Sequence, residues 1–408
     1  MTNKRASNGR VLASLAVCLC LSVAYVTVGA QSTYYPPKGE WARKSPAELG
    51  LDPAKLQEAI DYAKSHETNR AMDFSDQEKT FGTLLGSVPN IRAHTNGVII
   101  YKGYVVGEWG DNTWADPTYS VAKSMLSTVA GVAVRDGVIK GLDDAVGATV
   151  KDGGYDSPGN SVITWRNHLN QESEWEGSMF TKPDTFIGHE AFGDGEMKPR
   201  ERRKPGTYYE YNDVRINRFS MSLLRAFNKS VPDVFREQVM DPIGASNTWR
   251  WIPYHNSWVD MPDHRRLLSV SGGTRWGGGV WINAMDMARF GYLWLRGGKW
   301  GDKQIVPVAY VKAALTPSKV ANSPDYGFLW WLNTRQDNAK CGKDPANRRA
   351  GCSNYPGMPP TAFGANGAGS NTILVSPDHD LVIVWRWHAG NIAEVGTRVV
   401  AAIKPGTM

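Results

Sequence analysis

The sequence lacks the short motifs by which the commonest hydrolases are recognised. It contains no G-x-S-x-G, which argues against an α/β-hydrolase, and no H-E-x-x-H, which excludes the common zinc-peptidase arrangement. Its 8 histidines are scattered and form no obvious pair of metal ligands. No run of Lys and Arg with interleaved aromatic residues is present either. We therefore expect no metal, no organic cofactor and no nucleic-acid partner.

Cysteine is scarce, with 4 in 408 residues. Two of them, Cys341 and Cys352, flank one short stretch, and an oxidising compartment would join them into a small loop. A closure of this size is worth roughly 2–3 kcal/mol by the loop-entropy estimate. A zinc site is less favoured, because no histidine lies near either thiol. We therefore predict a disulfide between these two residues.

Long apolar runs are absent except at the N-terminus. Residues 1–10 carry three positive and no negative side chains, and residues 11–30 form an apolar run that ends in Val28-Gly29-Ala30. This order is typical of a secretory signal, so we predict a signal peptide over residues 1–30 and export to the periplasm or the medium. An uncleaved membrane anchor is the alternative. Removal of the segment lowers the formal net charge from +6 to about +3, so the basic pI says little about the mature protein.

The remaining pattern indicates strands at both ends of the chain and helices between them. A helix with Leu56, Ile60 and Ala63 on one face precedes a hairpin that turns at Lys102-Gly103. From about Ser120 to Leu295 the pattern is mostly helical, broken by long loops. Residues 326–333 and 371–387 then return to strand patterns, and a helix over residues 391–403 closes the chain.

One two-lobed unit over residues 31–408 explains this order most simply. We predict an α/β (α+β) fold in which an antiparallel sheet flanked by helices is formed by residues from about 31–115 and 300–408. A helical lobe over about 116–299 is inserted between them, with a cleft between the lobes.

Ser120 and Lys123 are three residues apart where an apolar helix begins. Residues at this spacing share a helix face, so the lysine amine can reach the serine hydroxyl. Because the helix is apolar nearly all round, we expect burial to lower the pKa of Lys123, and a neutral amine could take the serine proton. The helix N-terminus favours negative charge at Ser120. The alternative is a lysine that extends to solvent beside a capping serine.

A second pattern follows about ninety residues later, where Pro205-Gly206 precedes four residues and then Tyr211-Asn212-Asp213. S-x-x-K followed by Pro-Gly-x4-Tyr-x-Asn resembles the serine β-lactamase and penicillin-binding protein superfamily, on its class C and esterase side. The resemblance implies that Tyr211 is a catalytic residue with Ser120 and Lys123. It also implies that Asp213 occupies the position of an asparagine that contacts substrate.

The third motif of this family, Lys-Thr-Gly or His-x-Gly on an edge strand, corresponds to Ala365-Asn366-Gly367. The resemblance implies that Asn366 and Gly367 border the substrate. It also implies that the backbone N–H groups of Ser120 and Ala368 form an oxyanion hole, in which one donor is worth roughly 3–4 kcal/mol of barrier. Ala365 replaces a lysine that helps to hold the carboxylate of a penicillin, which weakens a β-lactamase interpretation.

Further segments extend the resemblance over nearly all of the mature chain. Residues 162–184 are similar to the segment after the nucleophile helix in 6-aminohexanoate-dimer hydrolases, which implies that Glu174 and Trp175 lie near the cleft. Trp276, directly before three glycines, is a third candidate for substrate binding. A structural role is the alternative for all three.

We therefore expect a serine hydrolase in which Ser120 attacks a carbonyl and water later releases the acyl group. Lys123 and Tyr211 would share the proton transfers, first as base and then as acid. A linear amide or short ester is the expected small-molecule substrate, and a β-lactam or D-alanyl peptide is the alternative. A non-catalytic binding protein on the same fold is the alternative of another class, disfavoured because the serine, lysine and tyrosine occur together.

Overall fold

The computed structural model describes residues 1–2, 33–185, 201–335 and 352–406. Nearly all of the predicted signal peptide lies outside these ranges, as does Cys341, so export and the disulfide stay predictions; Cys352 is buried. The chain divides into a short unit, Met1–Thr33, and one compact unit, Tyr34–Met408. Over the described ranges, no helix has both the length and the apolar character needed to cross a bilayer.

Helices and strands alternate along the compact unit. The helices of the described residues are α1 (Pro53–Lys64), α2 (Gln77–Phe81), α3 (Val121–Arg135), α4 (Val146–Thr149), α5 (Trp165–Leu169), α6 (Asp213–Phe227), α7 (Val231–Phe235), α8 (Ala284–Leu295), α9 (Val308–Ala314) and α10 (Ile392–Ala402). The strands are β1 (Asn96–Tyr101), β2 (Tyr104–Trp109), β3 (Asp116–Pro117), β4 (Ser178–Met179), β5 (Lys182–Pro183), β6 (Arg250–Asp260), β7 (Arg266–Val270), β8 (Gly279–Ile282), β9 (Lys299–Trp300), β10 (Lys303–Gln304), β11 (Tyr326–Gly327), β12 (Trp330–Leu332), β13 (Phe363–Gly367), β14 (Asn371–Ser376) and β15 (Leu381–Arg386).

The main sheet is built from both ends of this unit, as the sequence predicts. Its seven strands lie in the order β11-β12-β13-β14-β15-β1-β2, and every neighbouring pair is antiparallel. The predicted hairpin joins β1 to β2, where Lys102 and Gly103 have φ of 50° and 85°. Two successive left-handed residues suit the tight turns that connect twisted antiparallel strands.

Helices cover both faces of the main sheet. A Cβ on Gly291 of α8 would touch the side chains of Ile373 and Val382, whereas one on Gly396 of α10 would touch Leu374. Since successive side chains of a strand point to opposite faces, α8 and α10 lie on opposite sides of β14. All six residues of β14 are buried accordingly. The predicted arrangement of an antiparallel sheet flanked by helices is confirmed.

The middle of the chain contains more strand than its pattern predicts. A four-stranded antiparallel sheet in the order β3-β8-β6-β7 lies within the region expected to be mostly helical. Its longest strand, β6, carries Pro253 and several exposed polar residues, so neither strict alternation nor a continuous apolar run marks it. α3 packs between α6 of this region and β13 of the main sheet, which brings the start of α3 to the edge of that sheet.

Candidate active site

Ser120 stands at the N-terminus of α3, as its N-cap residue. Its hydroxyl makes no capping hydrogen bond and instead accepts one from Nζ of Lys123 at 3.0 Å. The helix is buried continuously from Val121 to Ala133, and Lys123 itself is 1% exposed. The predictions that this helix is buried and that the serine and lysine meet on one face are confirmed. The alternative in which Lys123 extends to solvent is excluded by its burial.

The residue before the nucleophile has an unusual backbone conformation. Tyr119 has φ of +52°, a left-handed conformation that costs free energy for a residue with a bulky side chain. Its hydroxyl donates to Oε1 of Gln77 at 2.7 Å, and its ring packs edge-on against Trp387. Nε2 of Gln77 in turn donates to the carbonyl oxygens of Thr274 and Arg275 at 2.9 and 3.0 Å. One buried glutamine therefore ties the turn that carries Ser120 to residues 274–275.

Lys123 is held in an ion pair. Its Nζ lies 2.6 Å from Oδ1 of Asp213 and 4.7 Å from the centroid of the Tyr211 ring. Burial lowers the pKa of Lys123 and is the largest single effect, but the Asp213 carboxylate and Tyr211 together outweigh it, so the pKa is raised above its ordinary value. The prediction that the pKa of Lys123 lies below its ordinary value is therefore wrong. The reason is a partner ninety residues along the chain.

Asp213 is the first residue of α6. The Asn212 side chain caps this helix by accepting from the N–H of Arg215 at 3.0 Å, and the helix N-terminus favours a carboxylate in its first turn. While Oδ1 of Asp213 binds Lys123, its Oδ2 lies 3.6 Å from Nη1 of Arg275. Asp213 therefore lies between two cations of its own chain at the position where the family motif has a substrate-binding asparagine.

Two residues of the predicted catalytic set, Ser120 and Tyr211, line one cleft of about 230 Å³, and the buried Lys123 contacts the Ser120 hydroxyl. The wall of this cleft includes the rings of Phe81, Tyr211 and Trp331, of which the last two stack with centroids 6.1 Å apart. The described lining residues are Phe81, Tyr119, Ser120, Tyr211, Asp213, Gly273, Thr274, Arg275, Trp331, Asn366, Gly367 and Ala368. The cleft thus combines the Ser120 hydroxyl, one carboxylate, the cation of Arg275 and aromatic rings.

The end of β13 lies directly against the nucleophile turn. A Cβ at Gly367 would stand 2.0 Å from the carbonyl oxygen of Thr118 and 3.1 Å from the nitrogen of Ser120, so only glycine fits there. Gly367 and its neighbours Asn366 and Ala368 line the cleft, in agreement with the third motif. Ala365 is 1% exposed and is not among the described lining residues. Its methyl group belongs to the core.

The other candidates for substrate binding lie elsewhere. The Glu174 side chain is 1% exposed and its Oε1 lies 3.0 Å from Nη1 of Arg215. Nε1 of Trp175 donates to the carbonyl of Gly154 at 2.8 Å, beside a separate groove. Trp276 is fully buried. The described residues that line the Ser120 cleft do not include these three.

Two residues of the site carry no signal in the sequence. Arg275 stands next to a predicted candidate, Trp276, but nothing in the local pattern shows that it faces the nucleophile. Gln77 acts across separations of 42 and 197 residues, which no motif spacing reveals. Within the described ranges, no group of three or more His, Cys, Asp or Glu side chains is arranged to hold a metal ion.

Solved structures with this fold belong to several kinds of protein. EstCE1, a hydrolase with promiscuous acyltransferase activity, shares 13% identity over 86% of this chain and 98% of its own, with a TM-score of 0.55. The octameric penicillin-binding protein homologue from Pyrococcus abyssi shares 15% over 86% and 77%, with a TM-score of 0.54. A Bacillus anthracis protein with a provisional assignment as a 6-aminohexanoate-dimer hydrolase shares 16% over 90% and 97%, with a TM-score of 0.49. At these identities the similarity to the first two shows the fold alone.

Sequence comparison identifies the family. No curated protein matches the chain significantly. The family model described as Beta-lactamase matches residues 94–391, a range that includes Ser120, Lys123, Tyr211 and the end of β13. Because the match covers more than half of the sequence, this chain belongs to the beta-lactamase family.

Proposed function

We propose that this chain is a serine hydrolase that cleaves linear amides or short-chain esters through an acyl-enzyme on Ser120. The observation that carries the proposal is that Ser120 and Tyr211 line one cleft, while the buried Lys123 contacts the Ser120 hydroxyl and lies over the Tyr211 ring. A non-catalytic binding protein would not need a hydroxyl free of its capping role and bound to a buried lysine. The family membership supports acyl chemistry at this serine.

The reaction would proceed in two halves. Oγ of Ser120 bonds to the substrate carbonyl carbon, and the N–H groups of Ser120 and Ala368 receive the negative charge that develops on the carbonyl oxygen. The close approach of Gly367 to the nitrogen of Ser120 supports this placement of the second donor. The leaving group departs with a proton, and water then attacks the acyl carbon and releases Ser120.

The size and lining of the cleft support a small acyl group. Its volume of about 230 Å³ lies below the roughly 300–1,000 Å³ typical of pockets that enclose drug-sized ligands. Phe81 and Trp331 provide apolar surface for a short chain. A bulky bicyclic substrate would have to extend out of this space.

One observation favours the alternative, a β-lactamase or D-alanyl peptidase. Arg275 lines the cleft and could bind a substrate carboxylate, as the lysine of the third motif does in the family. Asp213 competes for this cation, because its Oδ2 lies 3.6 Å from Nη1 of Arg275 and it also repels a second carboxylate. A weakened charge-assisted contact costs roughly 1.5–3 kcal/mol, or about one to two decades in affinity.

A comparison of substrates tests the proposal. On one preparation, kcat/KM should be measured for p-nitrophenyl acetate and butyrate, a linear ω-amino amide and nitrocefin, because this ratio reports transition-state binding. We expect the best ester or linear amide to exceed nitrocefin by about tenfold or more. More efficient turnover of nitrocefin than of every ester and amide would favour the alternative.

A further inference from the structure

We propose that Asp213 keeps Lys123 positively charged throughout the reaction, so that Tyr211 rather than Lys123 moves the proton of Ser120. The inference rests on the proposed function and deepens it by giving the lysine and the tyrosine separate roles. It is specific to this chain, because the asparagine found at this position in the family motif carries no charge. Asp213 is thus a positioning residue that acts through Lys123.

The first support is the set of contacts around Nζ of Lys123. This atom donates to Oδ1 of Asp213 at 2.6 Å and to Oγ of Ser120 at 3.0 Å, in a position that is 1% exposed. The shorter contact has the length of a charge-assisted hydrogen bond. An ammonium group donates only, so it cannot take the proton of Ser120.

The charged and titratable groups on the neighbouring elements agree with this assignment. Asp213, at the start of α6, pairs with Lys123, and Arg275 faces the other oxygen of the same carboxylate. Residues 271–274 present backbone rather than charged side chains to Lys123, since a Cβ on Gly273 would lie 3.4 Å from its Nζ. Tyr254 of β6 and Tyr326 of β11 are buried, and burial raises the pKa of each, so both stay neutral.

Tyr211 is a titratable group among the described lining residues that can carry this proton. Its ring lies 4.7 Å from Nζ of Lys123 and stacks on Trp331, which limits the positions that its oxygen can reach. A phenol both accepts and donates a hydrogen bond, so it can pass a proton on without holding a net charge. This capacity separates it from Lys123, which the ion pair keeps as a donor.

In the acylation step, the protons can then be transferred through Tyr211 without a free base. Oγ of Ser120 bonds to the carbonyl carbon while its proton passes to the oxygen of Tyr211. The phenol's own proton passes to the leaving nitrogen or oxygen, whose bond to the carbonyl carbon breaks. In deacylation the water oxygen bonds to the acyl carbon and one water proton passes to Tyr211. The bond between the acyl carbon and Oγ of Ser120 breaks, and Oγ takes the proton of Tyr211. Lys123 keeps its protons in both halves and stabilises negative charge at the reacting oxygens.

The substitution Asp213→Asn tests this assignment, because the two possible roles of Lys123 predict opposite results. Without the carboxylate, both contributions of Asp213 that raise the pKa of Lys123 are lost while burial, the largest single effect, still lowers it, so we expect Lys123 to lose its proton at lower pH. If the charged lysine is required, kcat/KM at pH 8 falls and the alkaline limb of the pH profile moves down by about one pH unit or more. If a neutral lysine is the base, kcat/KM at pH 8 rises instead, and the proposal is overturned.

A matched control separates this effect from the loss of any ion pair. Asp143 lies 2.6 Å from Arg166 in an exposed pair, so Asp143→Asn removes a contact of the same length far from any role in the cleft. We expect this variant to keep the parent pH profile. An equal shift in Asp143→Asn would show that the effect is not local to Lys123, and would overturn the proposal.

The charge of Lys123 can also be measured without a substrate. In protein labelled at the lysine ¹³Cε, the resonance that disappears in Lys123→Met belongs to this residue. We expect it not to titrate below its ordinary pKa of 10.5 in the parent, and to titrate at lower pH in Asp213→Asn. A parent resonance that titrates near neutral pH would overturn the proposal. A parent without hydrolytic activity would instead overturn the proposed function, while the resonance would still decide the charge of Lys123.

Discussion

Two groups of ion pairs involve residues that are close together at the start of α6, and the two groups have different roles. Asp213 and Arg215 are two residues apart, so their side chains point about 200° apart around the helix. Asp213 faces the cleft and pairs with Lys123, which also contacts the Ser120 hydroxyl. Arg215 faces the interior, where its Nη1 lies 3.0 Å from Glu174. The same kind of interaction is part of a reactive site on one side of the helix and part of the packing on the other.

Arg215 and its partners form a network of ion pairs with one another. Nη1 of Arg215 also lies 2.9 Å from Glu210, and its Nη2 lies 3.5 Å from Asp184, which pairs with Arg202 at 2.6 Å. Because Glu210 directly precedes Tyr211, this group fixes the loop that carries Tyr211. The comparison teaches that burial of charge does not by itself mark catalysis. The Lys123 pair differs because Lys123 contacts the hydroxyl of Ser120, which lines an open cleft.

Among the changes that test this comparison, the largest expected effect on activity comes from Lys123→Met, which nearly keeps the length of the side chain and removes its charge. We expect kcat to fall by about 10²–10³-fold, because a charge aimed at the reacting oxygens is lost. The free energy of unfolding should change less than it does when Arg215 is replaced, since Asp213 keeps Arg275 nearby and is open to the cleft. Steady-state kinetics and urea unfolding on one preparation measure both quantities. A kcat close to that of the parent would contradict the assigned role.

Arg215→Met should show the opposite balance. It leaves Glu174 and Glu210 as buried carboxylates without this partner, and breaking such a group costs about 3–5 kcal/mol of unfolding free energy. Glu174→Gln is a milder variant that keeps the other pairs of Arg215 and should fold with a smaller loss. Denaturant unfolding measures both variants. Stability equal to that of the parent in Arg215→Met would contradict the structural role of this group.

The smallest expected effect is a pH dependence of stability that comes from His168, which lies on the Arg215 side of α6. Burial, with smaller contributions from Arg218 and Arg215, lowers the pKa of His168 to about 3. The unfolded chain binds this proton below its ordinary pKa of 6.5 and the folded chain does not, so stability is present above pH 6.5 and is lost as the pH falls towards 3. The loss approaches about 1.4 kcal/mol for each pH unit.

The variant His168→Phe isolates this contribution. The new ring can keep the stacking on Phe219, and the Tyr155 hydroxyl keeps its contact with Ser222 at 2.8 Å. We expect a shallower fall of the unfolding free energy between pH 6.5 and 4.5 than in the parent. Some slope remains, because burial also lowers the pKa of His388 to about 4. An unchanged slope would show that His168 does not titrate on unfolding.

The dependence of stability on alkaline pH comes from the ion pair at the cleft. The pKa of Lys123 is raised, so the stability from its ion pair is fully present below its ordinary pKa of 10.5 and is lost as the pH rises through the higher folded value. The stability of the Arg215 side of α6 is thus sensitive to acid, and the stability of its cleft side is sensitive to alkali.

The sequence predicts those parts of the fold whose cause is local. The hairpin at Lys102-Gly103 follows from two β-rich runs that flank this pair, and α1 follows from helical spacing and the cap at Asp52. Ser120 and Lys123 were found because three residues on a helix define a fixed separation. The strand β6 was missed because its burial pattern is irregular.

The electrostatics of the site could not be predicted, because they depend on distant contacts. The residues around Lys123 in the sequence are mostly apolar, and an argument from burial alone gives the wrong direction for the shift of its pKa. The decisive partner, Asp213, lies ninety residues away and was matched to a substrate-binding asparagine. Gln77 and Arg275 reach the site only through the tertiary fold.

The identity of the nucleophile is the central claim, and covalent labelling tests it most directly. The protein should be treated with a fluorophosphonate, digested, and mapped by mass spectrometry. We predict a single adduct on the peptide that contains Ser120, and no adduct in a folded Ser120→Ala variant, which should also lose hydrolysis. An adduct on another residue, or labelling and turnover near the parent level in Ser120→Ala, would contradict the mechanism.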